Sequence, residues 1–146
     1  MKIKSLLRGA AIALPVLAIA IQLIPVSKTN PAVTQAIAWD SKQTQDLAQQ
    51  ACMDCHSNTT VWPWYSNVAP VSWLLSSHVT NGRHHLNFSE WTYNADDKAK
   101  LAKKVEEEIS RGGMPDPTYL PMHATAKLTD AEKQQLIDGL KASILK

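Results

Sequence analysis

Hydrophobic positions along this chain change their spacing several times, and each change predicts an element. From Gly9 to Val26 the residues are apolar except for Gln22 and two prolines, Pro15 and Pro25. As a helix, eighteen residues span about 27 Å, close to the ~30 Å hydrocarbon core of a bilayer. Residues 1–28 therefore read as a signal-anchor or transmembrane segment, and residues 29–39 (from TNPAVTQAIA) as a short extended tether, with Pro31 disfavouring helix at Asn30. From residue 40 to residue 146 the pattern is that of one helical domain. Asp40-Ser41 should cap a helix through KQTQDLAQQACMDC, with Leu47, Ala48, Ala51 and Cys55 on or near one face. Pro70 suits the first position of a helix over PVSWLLSSHV, and Asn81-Gly82 its stop. Residues 87–93 could hold one helical turn. Leu101, Val105 and Ile109 recur every four residues, predicting a helix over Ala95–Arg111 that Gly112-Gly113 ends. Thr129 and Glu132 form a capping-box pattern, opening a last helix with Leu136, Ile137, Leu140 and Ile144 inward. The fold class expected is all-α.

Composition and charge narrow this further. Five Gly and eight Pro are too few for a many-turned β sandwich or barrel. Lys2, Lys4, Arg8 and Lys28 lie in or beside the apolar run, leaving 11 basic residues against 13 acidic ones in the body. That balance speaks against nucleic acid as a partner. Basic residues ahead of the run predict a cytoplasmic N-terminus and an exported body; for a bacterial chain that would put the body in the periplasm and the anchor in the inner membrane. A cleaved signal peptide is the alternative. Its best cleavage site, Ala36-Ile37-Ala38, lies a polar segment beyond the run, which favours retention.

The two cysteines of the chain stand in Cys52-Met53-Asp54-Cys55-His56. This is the attachment pattern of c-type haem. Thiols three residues apart on a helical turn can each add to a porphyrin vinyl group, and the adjoining His56 then falls beneath the iron as proximal ligand. A thioredoxin-like redox pair would need a βαβ context that is missing, and a zinc site would need further ligands in a recognisable spacing. Export and the lack of other cysteines strengthen the haem reading: one covalent haem c, with its iron.

The sixth iron ligand is open between several residues. Met114 follows a helix stop and precedes Pro115, on a loop able to cross a haem face, and methionine opposite histidine suits an electron carrier. His123, His78 and Met122 are alternatives, against the plainer readings of core methionine and surface histidine. Trp62, Trp64, Tyr65 and Trp73 follow the motif directly and could wall a haem pocket, or simply form an aromatic core. Arg83 or an indole N–H could pair with a haem propionate.

The segments CMDCHSNTTVWPWYSNVAPVSWLLSSHV, GRHHLNFSEW and GGMPDPTYLPMHATAKLT resemble the haem-binding domain family of small bacterial cytochrome c-like proteins, over roughly Trp39 to the C-terminus. The resemblance implies a cytochrome c-like helical domain behind an N-terminal membrane segment, with functional positions at Cys52, Cys55 and His56. It also implies Met114, in its Met-Pro pair, and His123 as recurring ligand candidates. The expected function is single-electron transfer with unidentified redox partner proteins, not catalysis. The alternative from another class is a haem-based sensor or small-gas binder whose sixth position is weak or open; a peroxidase would need a distal acid/base pair that the sequence does not offer.

Overall fold

The computed structural model describes the backbone from Lys2 and the side chains from Ala10 to Lys146. The side chains of Lys2, Lys4 and Arg8, on which the expected topology leans, lie outside the described residues. Among the described residues every regular element is helical, and the one β-type pairing is an isolated parallel bridge between Gln35 and Glu90. The chain divides into two compact units, residues 1–29 with 62–78, and residues 30–61 with 79–146.

In the first unit, helix α1 (Lys2–Ala20) runs through Pro15 and tightens into a 3₁₀ turn at Ile21–Leu23. Its described side chains are apolar and outward: Ile12, Leu14, Val16, Leu17 and Ile19 are all exposed. Among the described residues no helix is long and apolar enough to cross a membrane. The end of the apolar run is fastened to the unit's second segment. Gln22 accepts from the Ala69 N–H at 2.9 Å and donates to the Ala69 carbonyl at 3.2 Å, satisfying both groups of one residue. Ser76 donates to the Ser27 carbonyl at 2.9 Å, and the Lys28 ammonium bonds the Asn67 side chain.

The second unit holds the core. Helices α2 (Lys42–Ala51), α5 (Ala95–Ser110) and α6 (Asp130–Ile144) bring together Leu47, Ala48, Ala102, Val105, Ile109, Leu136, Ile137, Leu140 and Ile144, all buried. Each large aliphatic taken fully out of water contributes roughly 1.5–3 kcal/mol. Helices α2 and α6 cross closely because Gly139 has no side chain: a Cβ there would lie 2.8 Å from the Thr44 Cβ. The starts are capped as expected for Ser41 and Thr129, the latter with the full reciprocal box to Glu132, and Asn94 caps α5 through the Asp97 N–H.

Four details differ from the sequence expectation. The helix opened by Ser41 breaks at Cys52 and resumes as a separate turn, α3 (Met53–His56). Residues 87–93 form no helical turn: Phe88 and Ser89 carbonyls accept instead from the Ile37, Thr34 and Gln35 N–H groups, and Trp91 donates to Gln35 at 2.7 Å. By the same bonds the extended stretch before Asp40 is built into this unit, with Ile37 buried. Finally, α4 (Val71–His85) does not stop at Asn81-Gly82 but runs through it.

Candidate haem site

The reason Gly82 sits inside a helix is contact. A Cβ on Gly82 would strike the Cys55 carbonyl oxygen and stand 3.1 Å from the Cys55 Cβ, so α4 packs backbone to backbone on the cysteine motif. The motif itself is a tight turn. Cys55 and His56 N–H groups both bond the Cys52 carbonyl, at 3.1 and 2.9 Å. This sets the two thiols one turn apart, with His56 directly after them.

His56 is oriented by the same helix end. Its Nδ1 lies 3.0 Å from the Gly82 carbonyl and 3.0 Å from the Leu86 carbonyl. Both partners can only accept, so Nδ1 carries the proton and Nε2 presents its lone pair. Burial lowers the His56 pKa, against the pull of these two carbonyls, and His85 adds to the lowering. The imidazole is thus neutral and single-tautomer, the form that binds metal. Phe88, almost fully buried, lies edge-on to the ring at 6.5 Å, and its N–H bonds the His56 carbonyl at 2.8 Å.

Polar side chains fix the segment that follows. Arg83 donates to the Ser57 carbonyl at 2.7 Å, to Thr60 Oγ1 at 2.8 Å and to Asn30 Oδ1 at 2.9 Å. The guanidinium expected at a haem propionate is therefore engaged with protein acceptors. Asn58 receives Asn87 at 3.0 Å and donates to Glu90 at 2.8 Å, tying the loop after the motif to residues 87–90.

The cysteines are free thiols. Burial, then the neighbouring Cys55, pushes Cys52 up to about 12. Burial, then Asp54 and Asp116, pushes Cys55 up to about 11, with Arg83 opposing. C-x-x-C oxidoreductases do the reverse and hold a thiolate at neutral pH. Among the described residues no three His, Cys, Asp or Glu side chains gather to hold a metal ion, as a zinc site would require. Haem asks less of the protein, because the porphyrin supplies four of the iron's ligands, and two alkylatable thiols with one neutral imidazole fit it.

The loop after α5 reaches back to the motif. Tyr119 donates to Asp54, between the two cysteines, at 2.6 Å, and Asp116 is near enough to Cys55 to raise its pKa. His123 stacks on Tyr119, ring centroids 3.7 Å apart, with Nδ1 3.0 Å from the Tyr119 carbonyl. Met114 and Met122 on the same loop are exposed. His78 falls in the first unit, as do Trp62, Trp64, Tyr65 and Trp73. That aromatic group is not uniform. The indole nitrogens of Trp62 and Trp73 are buried with no acceptor among the described residues, whereas Trp64 is 74% exposed.

A sequence model of the haem-binding domain matches residues 16–142. The chain belongs to the haem-binding domain family. No curated protein and no solved structure matches it. In this haem-binding domain, the residues that hold His56 were not foreseen from sequence. Gly82, Leu86 and Phe88 surround the His56 ring and the motif, and Tyr119 and Asp54 join the far loop to it. The only phenylalanine of the chain, close after a helical glycine, was the available signal.

Proposed function

We propose that this protein is a membrane-anchored c-type cytochrome that carries single electrons in the periplasm rather than catalysing a reaction. The observation that carries the reading is His56, its Nδ1 proton committed to two backbone carbonyls immediately behind two thiols on one turn. Cys52 and Cys55 would hold one haem through thioethers, and His56 Nε2 its iron. Haem held there would supply one-electron redox chemistry. The chain's residues do the rest. Gly82 and Leu86 carbonyls keep the imidazole from turning, and the buried Phe88 and Leu86 exclude water from its flank.

Met114 is the proposed distal ligand, on a loop that the Tyr119–Asp54 bond keeps beside the motif. His123 is the second reading, favoured by one observation: like His56, it sets Nδ1 against a backbone carbonyl. A sensor with an open sixth position is the reading from another class. Anchoring rests on the exposed apolar side chains of Ala10–Ala20 and the continuation of the run to Val26.

Two measurements test this. Acid–acetone should leave the colour on the protein, and Cys52→Ala with Cys55→Ala should release it; free extraction from the unaltered protein would refute covalent attachment. The ferric spectrum should show a sulfur-to-iron charge-transfer band that Met114→Ala abolishes. A band surviving Met114→Ala but lost in Met122→Ala, or an all-nitrogen spectrum lost in His123→Ala, would move the ligand. Tight carbon monoxide binding without ligand displacement would favour the sensor.

A further inference from the structure

Unit one is unlike the rest of the molecule in charge. All 13 acidic residues of the chain lie in the other unit, and residues 62–78 contain no Asp, Glu, Lys or Arg at all. The same short segment turns large apolar side chains outward: Trp64 is 74% exposed, Leu74 47%, Val68 43% and Val71 39%. Val71 and Leu74, three apart on α4, share one face of that helix. Trp64 sits at the start of a 3₁₀ turn, its ring edge-on to Tyr65 at 5.6 Å.

We infer that residues 64–74 form a second membrane contact, an interfacial footing whose outward Trp64, Val68, Val71 and Leu74 enter the boundary between headgroups and acyl chains. The inference rests on the anchor reading for its neighbour, because the footing is fastened to the end of the apolar run. Gln22 brackets both backbone groups of Ala69, Ser76 bonds Ser27, and Lys28 bonds Asn67. Wherever the run leaves the bilayer, these bonds hold the footing beside it. Tryptophan prefers that depth, since its ring is apolar and its N–H polar. Lys28 is a charge beside the footing, and its ammonium, while donating to Asn67, has further N–H groups to offer anionic headgroups as its stem stays in the apolar layer. A protein partner recognised through charge would find no ionised side chain on residues 62–78. A lipid surface needs none.

The test uses the full chain with its haem, in vesicles of phosphatidylethanolamine and phosphatidylglycerol. A photoreactive benzoylphenylalanine replaces, one at a time, Leu17 in the anchor, Trp64 and Leu74 in the footing, and the exposed Lys100 of the other unit. An unchanged haem spectrum in each variant certifies the haem-bearing unit, and an unchanged far-ultraviolet circular dichroism spectrum certifies the helices of the other. Illumination should yield covalent lipid adducts at positions 17, 64 and 74 and none at 100. Adducts at 17 without any at 64 or 74 would overturn the footing and leave the anchor standing. Adducts at 64 and 74 without any at 17 would keep the footing and remove the anchor. Protein–protein adducts at 64, in place of lipid ones, would assign the face to a second copy and overturn the inference.

Discussion

His56 and Met114 are proposed for opposite faces of one iron, yet the protein treats them differently. His56 is half-buried in a frame made from two carbonyls, a glycine contact and an aromatic edge. Met114 is exposed, on a proline-rich loop that the Tyr119–Asp54 bond joins to the motif. The difference teaches that, on the proposed reading, the orientation of the proximal ligand is written into the fold around His56, whereas the distal ligand depends on an exposed loop position. The frame, then, should be hard to alter without loss of the protein, and the loop easy.

The largest effect is expected from Gly82→Val. Its Cβ and methyls would have to displace the Cys55 backbone, which cannot yield as a side-chain tip can. Overpacking of this kind costs about 3 kcal/mol. Denaturant unfolding should show that loss together with poor haem incorporation, and a variant with normal stability and colour would mean that α4 does not bear on the motif. Tyr119→Phe comes next, since it deletes the hydroxyl but keeps the ring under His123. Loss of a hydrogen bond to a carboxylate should cost about 1.5 kcal/mol and alter the distal spectrum more than the proximal one. An equal change on both sides would erase the contrast.

The smallest effect belongs to the far end of the frame. Asp40, before the helix that delivers Cys52, is held below its ordinary 3.8 by a hydrogen bond from Thr44, with desolvation opposing and Ser143 and Ser41 adding. Because its folded pKa is depressed, its stabilisation is complete above 3.8 and lost as pH falls through the lower folded value. Asp40→Asn should therefore lower stability at neutral pH slightly and flatten its acid dependence below about pH 4. A curve of unchanged shape would show that other carboxylates govern the acid limb.

Much of this frame was legible in the sequence, because local rules wrote it. The caps at Ser41 and Thr129, the inward faces of α5 and α6 and the cysteine motif all follow from side chains within one or two turns of each other. What misled was the reading of Gly82 as a helix stop. A glycine is equally required where two backbones touch, and only the partner, Cys55, 27 residues earlier in the sequence, distinguishes the cases. The turn expected over residues 87–93 failed for a related reason: its backbone groups are claimed by residues 34–37, a pairing that no local pattern announces. The aromatic run after the motif was legible as aromatic but not as divided, since the burial of the Trp62 and Trp73 indole nitrogens and the exposure of Trp64 depend on tertiary packing that no local pattern announces.

The bonds between Gln22 and Ala69 bear on how the protein should be handled at the bench. Recombinant haem proteins are often trimmed of an apolar leader to keep them in solution. Trimming this one at residue 28 would strip the acceptor from the Ala69 N–H and the donor from its carbonyl, at a residue only 7% exposed, and would take the Lys28 ammonium from Asn67 and the Ser27 carbonyl from Ser76 as well. A tag-and-trim preparation would then be the other unit with a frayed flap of residues 62–78. Spectra and potentials recorded on it would describe a lesion as much as the native molecule.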